Sequence, residues 1–137
     1  MGQAREAEPV KLIASIFSGD RGLLSRAKAM LAEAFGPADF ESRLFPFEHT
    51  DYYTAEFGPN LVRQIVAFQQ LIPPAGLPNI KTRTNELERA LSHEGQRRVD
   101  IDPGYVSLGK LVLASTKSHA HRLYLGQDSH GEVTLTY

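Results

Sequence analysis

Apolar side chains repeat with two different periods along this chain, and the order of these periods limits the folds that it can adopt. Residues 10–17 read VKLIASIF, a short β-branched run that is typical of a buried strand. Over residues 23–35 the apolar side chains recur at helical spacing, and a Gly-Pro pair follows as a helix stop. Ser18 or Asp20 would cap this helix by accepting a hydrogen bond from its first turn. The pattern therefore predicts a strand followed directly by an amphipathic helix.

The remaining patterns extend this alternation to the end of the chain. Strands are expected over residues 40–47 and 62–68, followed by a second helix over residues 79–93 that Asn79 would cap. Beyond a strand at residues 97–101, the sequence predicts a short third helix and a terminal β-hairpin. The order β-α-β-β-α-β predicts an α+β fold with a ferredoxin-like core, extended by that short helix and the β-hairpin.

Size and composition favour one globular domain over residues 1–137. The 137 residues include 42% hydrophobic and 23% charged residues, which is ordinary usage for a globular protein. The formal net charge of -1 gives no overall attraction for nucleic acid, so no nucleic-acid partner is indicated. The absence of cysteine excludes a disulfide framework, a thiolate nucleophile and a thiolate-bound metal.

The sequence lacks several targeting and catalytic motifs, which excludes further classes of protein. The polar N-terminus lacks the apolar segment of a signal peptide, and no apolar run is long enough to cross a bilayer. We therefore expect a cytoplasmic protein without a membrane partner. The sequence has no G-x-x-x-x-G-K-[ST] loop, no G-x-S-x-G elbow and no H-E-x-x-H pair, which excludes the enzymes that these motifs define.

Two polar clusters carry aromatic or cationic side chains that suit a small ligand. Asp51, Tyr52 and Tyr53 lie in a loop, where the rings would stack on a planar ligand and the carboxylate would accept its N–H groups. Alternatively, the tyrosines cover an edge of the core. Lys81 and Arg83 fall in the first turns of the second helix, where free N–H groups and the dipole favour an anion such as phosphate. Alternatively, they form weak ion pairs on a solvated face.

A third cluster places two carboxylates beside a turn sequence. Asp100 and Asp102 are two residues apart, so on a strand they would face the same way and would bind a metal ion or divide acid and base roles. Arg98 and Tyr105 flank them as a cation and a wall of the same site. Alternatively, Asp102 begins a turn at Asp-Pro-Gly by hydrogen-bonding to its own backbone.

The fourth cluster is cationic and contains a His-x-His pair. His119 and His121 would share a strand face and would supply two metal ligands, together with Asp51, Asp100 or Asp102. Lys117 and Arg122 beside them are further candidates for binding an anion. No third ligand is fixed by spacing, so the sequence specifies neither a metal nor a cofactor.

Several segments together resemble one prokaryotic family. They read EPVKLIASIFS, FPFEHTDYYTAEFGP, IKTRTNELE, RRVDIDPGYVSLGKLVLASTKSHAHRLYLG and EVTLTY, and they are spread over essentially the whole chain. The order TDYY, DPGY, KLVLASTK and HR-x-YLG is the specific part of the match. The chain thus resembles the uncharacterised family called domain of unknown function 4416. Some members are labelled GTP-binding proteins, and members usually continue beyond EVTL-x-Y, so the resemblance implies a C-terminally shortened chain.

Two main classes of function stay open from the sequence. In the first, the protein binds or acts on an anionic or phosphorylated small molecule, and the clustered residues converge on one pocket. In the second, it is a protein-interaction or self-assembly module with an exposed apolar patch or an open strand edge. GTP binding without a P-loop is a further alternative, which the family label implies. No sequence feature specifies an enzyme or an oligomeric state.

Overall fold

The described part of the chain forms one antiparallel sheet with two α-helices packed on it. The computed structural model describes residues 7–46, 56–108, 110–115, 122–126 and 129–136. Within these ranges, eight strands join in a single sheet and two α-helices connect some of them. The prediction of an α+β fold is therefore confirmed. Neither helix in these ranges is long and apolar enough to span a bilayer.

The elements follow the predicted alternation of strands and helices through most of the chain. In chain order they are β1 (Val10–Ser18), α1 (Arg21–Phe35), β2 (Ala38–Glu41), β3 (Phe45–Pro46), β4 (Val62–Ile72), α2 (Leu77–Ala90), β5 (Val99–Val106), β6 (Lys110–Ser115), β7 (Arg122–Gly126) and β8 (Ser129–Thr136). Across the sheet the order is β2-β4-β1-β5-β6-β8-β7, and β3 also pairs with β4. All paired neighbours are antiparallel.

Helix α1 begins and ends at residues that the sequence indicates. Asp20 Oδ1 accepts a hydrogen bond from the backbone N–H of Leu23 at 3.1 Å, so Asp20 is the N-cap. At the other end Gly36 has φ 93°, a left-handed conformation that glycine adopts without steric cost. Leu24 and Leu31 are buried on one side of the helix, as its apolar period requires.

The core lies between the helices and one face of the sheet. Leu12 and Ile16 of β1 and Ile101 of β5 are at most 1% exposed, and they pack against Leu24 and Leu31 of α1. The same cluster includes seven further buried residues, Ala14, Ala27, Val66, Phe68, Leu87, Leu91 and Val99. Burial of this apolar surface is the main force that holds the helices on the sheet.

The opposite face of the sheet carries polar and charged side chains around the buried ring of Phe17. Alternate residues of a strand point to opposite faces, so Ser15 and Phe17 of β1 face away from the core. They pair with Asp102 and Asp100 of β5, respectively. Arg63 of β4 pairs with Phe17 from the other side, and its guanidinium carbon lies 5.7 Å from the centre of the Phe17 ring. The strand pairing thus brings these groups together on one face.

The expected short third helix over residues 108–117 is wrong. Lys110–Ser115 forms β6, which pairs with β5 and β8. Val112 and Ala114 are buried, whereas Leu111 and Leu113 are only partly buried, and this period of two is that of a strand. The predicted hairpin that follows is present as the antiparallel pair β7 and β8. The extension is therefore a strand and a hairpin.

The Asp-Pro-Gly sequence does not form a turn, because β5 runs straight through it. Strand β6 pairs with β5 only from Gly104 onward, so the missing N–H of Pro103 removes no bond of that ladder. A Cβ atom on Gly104 would lie 2.2 Å from the carbonyl oxygen of Val112. Glycine is needed here for the close approach of β6. The interpretation of Asp102 as a turn-former is wrong, because Asp102 lies within β5.

Two other predicted boundaries also differ. Helix α2 begins at Leu77, with Pro78 in its first turn, so Asn79 is not its cap. The strand expected over residues 40–47 is divided into β2 and β3. Proline at the first helical turn lacks an N–H that would be unpaired there, which explains the earlier helix start.

Candidate functional site

Two charged side chains of α2 take the place of a neighbouring strand along part of β5. Among the described residues, β6 pairs with β5 only over Gly104–Val106. Upstream of that, Glu88 Oε2 accepts a hydrogen bond from the Ile101 N–H at 2.7 Å, and Lys81 Nζ lies 3.4 Å from the Ile101 carbonyl oxygen. Glu88 and Lys81 are each only 5% exposed. Burial of these two charges is explained by the backbone groups that they satisfy.

The same side chains belong to a larger ionic cluster. Lys81 Nζ lies 3.4 Å from Asp102 Oδ1. Arg97 Nη1 lies 3.1 Å from Asp100 Oδ1 and 3.7 Å from Glu88 Oε2. Asp100 and Asp102 lie on the same face of β5, and a side-chain hydrogen bond between them is among the causes of their shifted pKa values. Three carboxyl groups therefore share two cations in a largely buried space.

The environment separates the pKa values of the two aspartates. Burial raises the pKa of Asp100 well above its ordinary value, and the nearby carboxyl groups of Asp102 and Glu88 raise it further. Burial also acts to raise the pKa of Asp102, but the hydrogen bond with Asp100 and the ammonium group of Lys81 lower it overall. The side chain of Asp102 is 34% exposed and that of Asp100 only 10%. The pKa values of the two carboxyl groups therefore move in opposite directions, upward for the more buried Asp100 and downward for the more accessible Asp102.

Two other charged groups of the cluster have shifted pKa values. Burial raises the pKa of Glu88, although the hydrogen bond from Ile101 and the charge of Lys81 act against it. The hydrogen bonds to Glu56 raise the pKa of Arg97. Arg97 therefore stays a permanent cation next to carboxyl groups that resist ionisation.

A cleft of about 550 Å³ lies beside this cluster. Its walls come from three segments that are far apart in sequence, residues 18–20, 56–60 and 93–98. Arg97 lies between the cleft and the buried carboxyl groups. Its Nε and Nη2 donate to the two oxygens of Glu56 at 2.7 and 3.2 Å, while Nη1 donates to Asp100. The arginine thus contacts both regions at once.

The turn between β1 and α1 forms another wall of the cleft. Ser18 Oγ donates to the Arg98 carbonyl oxygen at 2.7 Å and accepts from the Asp20 N–H at 3.0 Å. Arg98 Nη2 lies 3.4 Å from Asp20 Oδ2, and the arginine side chain is 45% exposed. These bonds hold the backbone of the two walls together and leave much of the Arg98 guanidinium accessible from the cleft.

The structure brings only some of the predicted site residues together. Lys81, Asp100 and Asp102 are in contact, whereas Arg98 lines the neighbouring cleft. Tyr105 packs instead against the small apolar cluster of Leu77, Val112 and Ala114. Six candidates lie outside the described residues, namely Asp51, Tyr52, Tyr53, Lys117, His119 and His121. Of Arg122, the structure describes only its backbone in β7.

Arg83 occupies the solvated face of α2. Its Nη1 lies 3.0 Å from Glu86 Oε2, and both side chains are about half exposed, at 52% and 48%. This is the surface ion pair that the sequence left open as an alternative to anion binding. In the described part of the chain, no three acidic, histidine or cysteine side chains are grouped to hold a metal ion.

Glu88 and Arg97 belong to the site but are not indicated by the sequence motifs. A signal for Glu88 exists in the helical period. Leu77, Lys81, Glu88 and Leu91 are spaced four, seven and three residues apart, so they lie on one helix face. Charged residues on an otherwise apolar stripe predict buried, paired groups. Arg97 has no comparable signal, since its partners come from distant segments.

Comparison with known proteins supplies the family. Neither curated proteins nor solved structures give a match to the chain. The family model described as domain of unknown function 4416 matches residues 8–137, which is nearly the whole chain. This protein therefore belongs to the family of domain of unknown function 4416.

Proposed function

We propose that the protein binds a small anionic or phosphorylated molecule in the cleft formed by residues 18–20, 56–60 and 93–98. A volume of about 550 Å³ is within the range of pockets that hold small molecules. The observation that carries the proposal is Arg98, whose guanidinium is 45% exposed at the cleft and has a long contact of 3.4 Å with Asp20. An anion would replace that weak contact with a charge-assisted pair of hydrogen bonds.

The position of α1 supports an anionic ligand. Its N-terminus begins at Arg21, directly after the cleft-lining turn of residues 18–20. The positive end of a helix dipole favours negative charge nearby. Gly19 allows this turn to approach Pro59 closely, because a Cβ atom at residue 19 would lie 3.1 Å from the carbonyl oxygen of Pro59. Arg97 adds a second guanidinium to the cleft, held by Glu56.

We also propose that β1, α1, β2, β4, α2 and β5 form a ferredoxin-like core. The strand order β2-β4-β1-β5, with α1 after β1 and α2 after β4, supports a ferredoxin-like core in which β3 is a short addition. In such a core, the cleft lies at the end of β1 where the chain enters α1. Cytoplasmic location and prokaryotic origin stay predictions from the sequence.

A binding assay with matched arginine variants tests the cleft. Inorganic phosphate, GTP with and without Mg²⁺, and a panel of phosphorylated metabolites are titrated by calorimetry and in thermal unfolding. A ligand at about 100 times its Kd stabilises the protein by about 2.7 kcal/mol. Arg98→Ala is expected to abolish this shift, while Arg83→Ala keeps it, since Arg83 is equally a surface arginine but lies outside the cleft lining.

The outcomes separate the alternatives. A shift with GTP but not with phosphate or other phosphorylated compounds favours GTP binding without a P-loop. Binding that survives Arg98→Ala places the ligand elsewhere and refutes the cleft. If the whole panel leaves the unfolding temperature unchanged, small-molecule binding loses its support.

Self-association is a second candidate, which one exposed row of side chains favours. Leu71 and Val106 both pair with Lys11 across the sheet, and they are 58% and 42% exposed. Leu108, two residues further along, is fully exposed at 100%. Apolar groups grouped in this way are typical of contact surfaces. Light scattering over a range of protein concentrations tests this candidate, and Val106→Lys should reduce any oligomer.

A further inference from the structure

The carboxyl groups of Asp100 and Asp102 meet on the face of the sheet opposite to the core. Asp100 Oδ1 accepts a hydrogen bond from Arg97 at 3.1 Å. Its other oxygen, Oδ2, is buried and has no hydrogen-bond donor among the described residues. The neighbouring carboxyl group on this face of β5 is that of Asp102, which is itself an acceptor when ionised. A buried carboxyl oxygen that faces a second carboxylate needs a proton between the two groups.

We propose that Asp100 and Asp102 share one proton and form an acid–base site, whose accessible side is Asp102. This inference does not depend on ligand binding in the cleft, because neither aspartate lines it. The proton lies on the more buried member, Asp100, which donates to the carboxylate of Asp102. The exposed third of Asp102 is the path by which water or a ligand reaches the pair.

The surrounding charges are suited to one negative charge on the pair and not to two. Helix α2 contributes the cation Lys81 and the acid Glu88, and β4 contributes Arg63, whose charge lowers the pKa of Asp102. The residues before β5 contribute Arg97, which is already shared with Glu56. Strand β1 faces the pair with Ser15 and Phe17, neither of which is charged. A second negative charge would therefore lie in a buried space against other acids.

The chemistry that this arrangement allows is a reversible proton transfer. A basic group at the accessible side takes the shared proton, so one O–H bond of the pair breaks and one bond from hydrogen to that group forms. The pair then carries two negative charges, next to the cations Lys81 and Arg97. The reverse transfer restores the hydrogen bond between the carboxyl groups. Paired carboxyls with separated pKa values perform acid and base steps in this way.

Carbon-detected NMR of the aspartate side chains in the wild-type protein tests the shared proton. We expect the Asp100 carboxyl to titrate well above the ordinary aspartate value of about 3.9, and to follow pH reversibly. An Asp100 carboxyl that titrates at or below the ordinary value overturns the proposal. This measurement needs no variant, so a folding defect cannot obscure it.

Two variants then distinguish a shared proton from simple burial. In Asp102→Asn the neighbouring charge is lost and one acceptor oxygen is replaced by an N–H donor, so the Asp100 carboxyl should titrate clearly lower than in wild type. In Asp100→Asn the amide donates to Asp102 in place of the proton, and the protein should keep its fold at neutral pH. If Asp102→Asn leaves the Asp100 titration unchanged, burial alone holds the proton and the pair is refuted.

Discussion

Glu88 should contribute far more to stability than Glu86, although both are glutamates on α2 only two residues apart. Glu88 is 5% exposed and accepts the Ile101 N–H at 2.7 Å, whereas the Glu86 side chain is 48% exposed and pairs with Arg83. Replacing each by alanine changes helix propensity equally. The difference in free energy of unfolding between the two variants therefore measures the contact between α2 and the edge of β5.

The magnitude follows from the groups that Glu88→Ala leaves behind. A hydrogen bond to a charged group contributes about 1.5–3 kcal/mol, and a buried N–H without a partner costs a similar amount. The 3.7 Å contact with Arg97 is also lost, but Arg97 keeps Asp100 and Glu56. Relief from burying the Glu88 charge offsets part of this loss, as its raised pKa indicates. We expect a net loss of about 2 kcal/mol, against at most about 0.5 kcal/mol for Glu86→Ala.

Thermal and urea unfolding of the two variants provide the assay. For a domain of this size, about 2 kcal/mol corresponds to a fall in Tm of about 8 °C, and Glu86→Ala should lower Tm by about 2 °C or less. Glu88→Gln keeps an acceptor oxygen for the Ile101 N–H and should fall between them. Equal Tm values for the two alanine variants would refute the view that α2 side chains complete the edge of β5.

Three further predictions concern the backbone, the helix cap and pH. Gly104→Ala should lower the free energy of unfolding, measured in urea, by about 2–3 kcal/mol, because its Cβ would meet the Val112 carbonyl at 2.2 Å. Gly58→Ala is the control, since a Cβ there meets nothing within 4 Å. It should lower the free energy of unfolding by only about 1 kcal/mol, through its φ of 84°. Asp20→Ala should lower the free energy of unfolding by about 1 kcal/mol through loss of the α1 cap, and unchanged stability would contradict that role. Burial raises the pKa of Asp100 and of Glu88, so at pH values between the unfolded and the native pKa the native state binds more protons than the unfolded chain. The free energy of unfolding should therefore fall as pH rises from about 4 through those raised values. This dependence of stability on pH should be weaker in Asp100→Asn.

The first strand and helix could be predicted because short-range signals agree there. The apolar period, the Asp20 cap and Gly36 all indicate the same boundaries, and the structure has them. Residues 110–115 carry too few side chains to separate a helical from a strand period. Pairing with β5 and β8 decides the outcome, and those partners are set by the whole sheet.

The candidate site was only partly predictable for the same reason. The spacing of Asp100 and Asp102 correctly places them on one face of a strand. Lys81 was expected to bind an anion at a helix start, whereas the structure places it against the open edge of β5. That edge exists because β6 pairs with only the last residues of β5. A pairing boundary of this kind has no local sequence signature.

The central place of β1 in the sheet has a consequence for synthesis of the protein. Strand β1 is made before both of its neighbours in the sheet, β4 and β5, and Lys11 pairs with Val106. Ribosomes add about 5–20 residues per second, so an apolar strand waits seconds for its partners. Helix α1 can cover one face of β1 during that interval, but both strand edges stay open to other chains. Misassembly should therefore compete with folding until β5 has emerged.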